Sequence, residues 1–136
     1  MAILDTNVLL RYLTEDNPEQ AQRALAVLEQ VEAGRLRLTL LEGVVVETVQ
    51  VLSSRRLYDV PRETIRTRLS SIIRLPGIQM TNKRTYLRAF DLYVEYGRLS
   101  FIDALCVAYA QRQRDATVTS FDRDYRGIPE IAWSEP

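Results

Sequence analysis

Met1-Ala2-Ile3-Leu4-Asp5-Thr6-Asn7-Val8-Leu9-Leu10 opens the chain. A short apolar run meets a carboxylate and two polar residues, and an apolar pattern then resumes. The run predicts a buried strand, and Asp-Thr-Asn predicts the turn that caps the following helix. In an open α/β sheet, Asp5 then sits at the carboxyl end of a strand, the edge at which ligands bind. A helix N-cap alone would also account for an aspartate here, so the other acids must separate the two roles.

Composition removes whole classes of chemistry. The chain of 136 residues has no histidine and one cysteine. Ser-His-Asp triads, Cys-His pairs and zinc sites built from histidine or several thiolates are therefore excluded. Hydrolytic chemistry would fall to carboxylates, hydroxyls, arginines, the lone Lys83 or an oxygen-bound hard metal. Cys106, within Ala104-Leu105-Cys106-Val107-Ala108, is expected to be an inert core thiol. The formal net charge is +0, so no global field draws nucleic acid. Seventeen arginines stand against one lysine. The guanidinium fork suits phosphate, but codon usage is the simpler source of that excess. No apolar run approaches a membrane span and the N-terminus does not read as a signal peptide, so a cytoplasmic protein with no membrane partner is expected.

Short apolar runs alternate with longer amphipathic segments. Pro18 opens a helix with Ala21, Leu25, Leu28 and Val31 on one stripe, and Gly34 ends it. Residues 36–41 predict a strand, residues 44–54 a further apolar segment, and Pro61 a helix with Ile65, Leu69, Ile72 and Ile73 inward. Pro76-Gly77 breaks that helix before a strand at 78–80. Helices are predicted over 83–96, stopped by Gly97, and over 101–114, with strands at 117–119 and 128–133. The alternation predicts a single α/β domain over residues 1–136, three-layered α/β/α, with a central parallel sheet.

Four carboxylates sit in unusual company. Glu47, within Val44-Val45-Val46-Glu47-Thr48-Val49, faces apolar neighbours on either a helical or a strand period. A charge enclosed there would need a cation or a proton, for which Arg55 and Arg56 are near in sequence. Asp103 follows Ser100-Phe101-Ile102, where a capping box also places it. Asp122 follows a β-type run, Thr117-Val118-Thr119-Ser120-Phe121, much as Asp5 does, although aspartate also forms turns there. In a parallel sheet both strand ends lie on one edge, which the start of the Asp103 helix can also reach. Carboxylates converging without histidine suit Mg²⁺ or Mn²⁺, which take oxygen ligands and bridge to phosphates.

Ile3-Leu4-Asp5-Thr6-Asn7, Val46-Glu47, Phe101-Ile102-Asp103-Ala104-Leu105 and Ser120-Phe121-Asp122-Arg123-Asp124-Tyr125 follow one another in an order that resembles the PIN-domain ribonucleases, in particular the compact VapC-type toxins of toxin–antitoxin pairs. The likeness covers essentially the whole chain. It implies a Mg²⁺- or Mn²⁺-dependent endoribonuclease that cleaves RNA with metal-activated water and leaves a 5′-phosphate and a 3′-hydroxyl. By the same resemblance Asp5, Glu47, Asp103 and Asp122 bind the metal, Ser120 supports metal or phosphate, Asn7 orients Asp5 or a bound water, and Thr6 is a further supporting residue. Many relatives carry one more acid a helical turn before the position of Asp103. Leu99 stands there in this chain; Asp124 is either a substitute for that charge or a solvated turn residue, which leaves the number of metals open.

The resemblance also implies partners: a small cognate antitoxin and, as in many relatives, a homodimer. Leu9-Leu10-Tyr12-Leu13 and the flank around Val49-Leu52 are the expected groove for an antitoxin helix. Two other functions compete. One is a PIN fold that has lost catalysis and only binds RNA or protein. The other is a phosphatase with Asp5 as covalent nucleophile, similar to haloacid-dehalogenase-like enzymes. Those enzymes place a second aspartate where Asn7 stands, and a downstream lysine for whose context Lys83 has no match.

Overall fold

A computed structural model describes residues 1–136. Backbone contacts divide the chain into two units, Met1–Lys83 and Arg84–Pro136.

The first unit runs β1 (Ala2–Ile3), α1 (Thr6–Leu13), α2 (Pro18–Glu32), β2 (Leu38–Thr39), α3 (Glu42–Ser53), α4 (Arg62–Ile73) and β3 (Ile78–Gln79). Its strands are parallel in the order β1-β2-β3, with Ala2 opposite Leu38 and Leu38 opposite Ile78. Parallel neighbours require crossover connections, which the helix pairs α1–α2 and α3–α4 supply. One more bond, from the Leu4 amide to the Thr39 carbonyl at 2.8 Å, carries the pairing to the residue before Asp5. Asn17 caps α2 by accepting from the Gln20 amide at 3.1 Å, and Pro18 follows at the first helical position, where its missing N–H costs nothing. Gly34, at φ +77°, lies just beyond the helix. Gly77 admits no side chain, because a Cβ would sit 2.9 Å from both the Leu36 carbonyl and Val31 Cγ1.

The core of this unit includes Leu9, Val31, Leu40, Val45, Val49, Ile65, Leu69, Ile73 and Ile78. The stripe predicted for α4 is buried at all four of its positions. In α2 the buried set is Ala24, Leu28 and Val31, whereas Leu25 is exposed and Ala21 half-buried.

The second unit holds α5 (Lys83–Glu95, whose first residue belongs to the first unit), α6 (Phe101–Gln111), β4 (Thr117–Thr119), a 3-10 turn (Arg123–Tyr125) and β5 (Ala132–Ser134). β4 and β5 pair in parallel, with Val118 opposite Trp133. Phe101 organises the packing here: its ring centroid lies 4.7 Å from that of Phe90 and 5.7 Å, edge-on, from that of Tyr93. Such pairs contribute about 0.5–1.5 kcal/mol beyond burial, and they anchor the first turn of α6.

The chain is thus α/β with six α-helices and parallel strands. Where the sequence predicts one continuous central sheet, hydrogen bonds join the strands as a ladder of three and a ladder of two. Each strand is only two or three residues long. No helix is long and apolar enough to cross a membrane.

Candidate active site

Asp5 leaves β1 and caps α1. Its backbone is extended (φ −87°, ψ 155°), and its Oδ2 accepts from the Asn7 amide at 3.3 Å. Capping engages one carboxylate oxygen, so Asp5 satisfies the helix and still offers Oδ1 to solvent. Asn7 is also exposed, while Thr6 between them is buried.

Glu47 lies on α3 and corrects the expectation of an apolar enclosure. The buried stripe of α3 is Val45, Thr48, Val49 and Leu52, and Glu47 is exposed on another face. Val44 and Val51, which share its helical stripe, are only half-buried. A helix rich in valine offers an apolar neighbour on every stripe, so spacing alone does not identify the inward one. Glu47 pairs with neither Arg55 nor Arg56, and its carboxylate is open to a cation in solvent.

Asp103 sits in the capping box that its spacing predicts. The Asp103 amide donates to Ser100 Oγ at 3.1 Å, and the Ser100 amide donates back to Asp103 Oδ2 at 3.2 Å. The sequence missed a third bond, from the Tyr125 hydroxyl to Asp103 Oδ1 at 2.9 Å. Burial holds the Tyr125 phenol well above the usual tyrosine range, and its hydrogen bonds to Asp103 and Cys106 reinforce that. The phenol therefore stays protonated and remains a donor to Asp103.

Asp122 caps the 3-10 turn, with Oδ1 accepting from the Asp124 amide at 2.8 Å. Its own amide donates to Ser120 Oγ at 3.0 Å. Ser120 thus braces the backbone of Asp122, while the Ser120 carbonyl accepts from the Trp133 indole at 2.9 Å. Asp124 is half-buried, and its carbonyl accepts from Arg98 Nε at 2.9 Å. Leu99 is fully buried, as an apolar side chain at the position of the missing acid requires.

Asp5 and Glu47 belong to the first unit, and Asp103, Asp122 and Asp124 to the second. Neither unit by itself gathers three or more acids into a group that could hold a metal ion. In the second unit, Tyr125 ends the turn that Asp122 caps and reaches back to Asp103, so these two acids are tied together. The donor chemistry fits a hard divalent cation: only carboxylate, amide and hydroxyl oxygens are on offer, and Asp5, Glu47 and Asp122 each keep an oxygen that the fold does not use.

Two further expectations are corrected. Cys106 is exposed rather than buried, on the face of α6 that also carries Ile102. The inward face of that helix is Phe101, Ala104, Leu105 and Ala108. The groove foreseen from Leu9-Leu10-Tyr12-Leu13 and Val49-Leu52 is largely core: Leu9, Leu10, Val49 and Leu52 are buried, while Tyr12, Leu13 and Val51 are partly accessible and Gln50 is exposed. Those leucines and valines are inward because α1 packs against both α2 and α3.

Lys83, the one lysine, donates from Nζ to the Leu75 carbonyl at 3.0 Å, and burial lowers its pKa. It serves as a staple to the end of α4 rather than as the phosphate-facing lysine that an aspartyl phosphatase needs.

No curated protein matches the chain. The model of the PIN domain matches residues 2–131, a span that contains all four of the predicted acids. PIN domains are generally metal-dependent nuclease folds. With nearly its whole length matched, this chain belongs to the PIN domain family.

Proposed function

We propose that this protein is a Mg²⁺- or Mn²⁺-dependent endoribonuclease and the toxin of a toxin–antitoxin pair, with Asp5, Glu47, Asp103 and Asp122 as its metal ligands. The observation that carries the reading is the family match over residues 2–131, which includes all four acids in order. When bound, the cation supplies neutralising charge for the phosphodiester and an acidified water.

The residues of the chain do the rest. Asp5 and Asp122 are held at their positions by the helical turns they cap, so their free oxygens are oriented before any ligand arrives. Tyr125 and Ser100 fix Asp103 from two sides. Ser120 sets the backbone of Asp122. Asn7, exposed beside Asp5, can orient a phosphate oxygen or water through its amide. Mutual repulsion among the carboxylates is relieved by the cation, so binding should raise thermal stability.

The finer reading includes a cytoplasmic location, a homodimer and a small antitoxin whose basic side chain competes with the metal for the acids. Incubation of a structured RNA with Mn²⁺, with EDTA, and with the Asp5→Asn variant tests the activity. Cleavage with Mn²⁺ alone, leaving 5′-phosphates, is expected. Metal binding without cleavage across varied RNAs would favour a binding-only PIN fold. Induced expression tests the toxin role, and unaffected growth would leave a housekeeping nuclease as the better account.

A further inference from the structure

Several arginines serve the fold. Arg98 binds the carbonyls of Asp124 and Arg126, Arg88 binds Gln111, and Arg112 binds Thr85. Arg68 and Arg126 lie over the rings of Tyr12 and Trp133. Arg11 and Arg23 are placed differently. Both line a groove of about 280 Å³ along α1 and α2, together with Asn7 and Gln20.

The groove has the chemistry of an anion site. No carboxylate lines it. Arg23 is exposed and has no protein acceptor, and the Asn7 amide side chain is likewise uncommitted. Arg11 is held in place by Gln20 on Nε at 2.6 Å and by Asp16 on Nη1 at 3.2 Å, which leaves Nη2 free. A guanidinium fixed on two edges loses little further freedom when its third edge binds phosphate. Asn7 and Arg11 are one helical turn apart on the same face of α1, an axial step of about 6 Å. That step spans roughly two nucleotides of a stacked strand, at about 3.4 Å each. The groove begins at Asn7, two residues from Asp5.

We infer that the α1–α2 groove is the backbone subsite for single-stranded RNA, with Arg11 Nη2 and the Arg23 guanidinium as its phosphate donors. This rests on the ribonuclease reading, to which it adds a track for the strand leading away from Asp5. Arg23 lies outside the core, so its replacement leaves the fold untouched.

The test is fluorescence anisotropy of a labelled single-stranded RNA 12-mer in EDTA, titrated at several salt concentrations. Arg23→Ala should weaken binding about tenfold and reduce the log–log salt slope by about 0.7. Arg23→Glu should weaken it further. Arg55→Ala, at an exposed arginine that does not line the groove, should match the wild type in both. Unchanged affinity and slope for Arg23→Ala and Arg23→Glu overturn the inference, as does an equal loss from Arg55→Ala. If the two Arg23 variants instead lose affinity only for a labelled polyglutamate peptide, the groove takes an acidic protein segment and the inference also fails. RNA binding that depends on Arg23 in a protein that cleaves nothing with Mn²⁺ upholds the groove and removes the nuclease reading. Mn²⁺-dependent cleavage with no role for Arg23 does the reverse.

Discussion

Tyr125 and Asp103, 22 residues apart, are joined by a 2.9 Å hydrogen bond from a buried phenol to Oδ1 of a half-exposed carboxylate. Because Tyr125 closes the turn that Asp122 caps, this one bond links two acids that the sequence presents separately. Tyr125→Phe keeps the ring and removes only the donor. It should cost about 1 kcal/mol in denaturant unfolding and weaken Mn²⁺ affinity by about tenfold, the usual effect of losing a partner behind a ligand. A double-mutant cycle with Asp103→Ala should return a coupling of at least ~0.5 kcal/mol. Zero coupling with unchanged metal affinity would make the contact incidental.

Asp5 carries two duties that substitution can separate. Asparagine caps a helix as well as aspartate does, so Asp5→Asn should melt close to the wild type while losing Mn²⁺-dependent cleavage. Asp5→Ala removes the acceptor for the Asn7 amide and should lose about 1 kcal/mol as well. Equal activity in wild type and Asp5→Asn would reduce Asp5 to a cap.

Glu47 is exposed and unpaired, so its charge contributes little to folding. Glu47→Gln should leave stability within about 0.5 kcal/mol, yet lower the affinity measured by Mn²⁺ calorimetry. A protein with unchanged calorimetry no longer has Glu47 among its ligands.

Asp16 gives the pH dependence a testable sign. The Tyr58 hydroxyl at 2.5 Å, then Thr14 at 2.9 Å, and the charge of Arg11 hold its carboxylate below its ordinary value of 3.8. A depressed folded-state pKa contributes stability that is present above the unfolded value and lost as pH falls through the folded one. The melting temperature should therefore drop on acidification below about pH 4. In Asp16→Asn that acid limb should be shallower, and at neutral pH the variant should melt lower than the wild type. Parallel acid limbs in thermal melts of the two proteins would exclude a contribution from Asp16.

What was legible in the sequence was local. Asp5, Ser100 with Asp103, and Asp122 cap the elements that their spacing implies, because capping needs only a side-chain oxygen within three residues of an amide. Glycine and proline end segments by their own backbone preferences. Ile65, Leu69, Ile72 and Ile73 fall on one buried stripe because polar residues occupy the other faces of α4.

Tertiary structure decided what local pattern leaves degenerate. On α3 and α6 apolar residues occur on nearly every face, so only the neighbour packed against each helix selects the inward stripe. That choice put Glu47 and Cys106 in solvent and took Leu9, Leu10, Val49 and Leu52 into the core. The bond from Tyr125 to Asp103, and the groove that sets Arg11 and Arg23 apart from fifteen other arginines, join residues distant in sequence. Periodicity records the spacing of residues along one element; a contact between elements depends on how the chain returns, and no spacing encodes that.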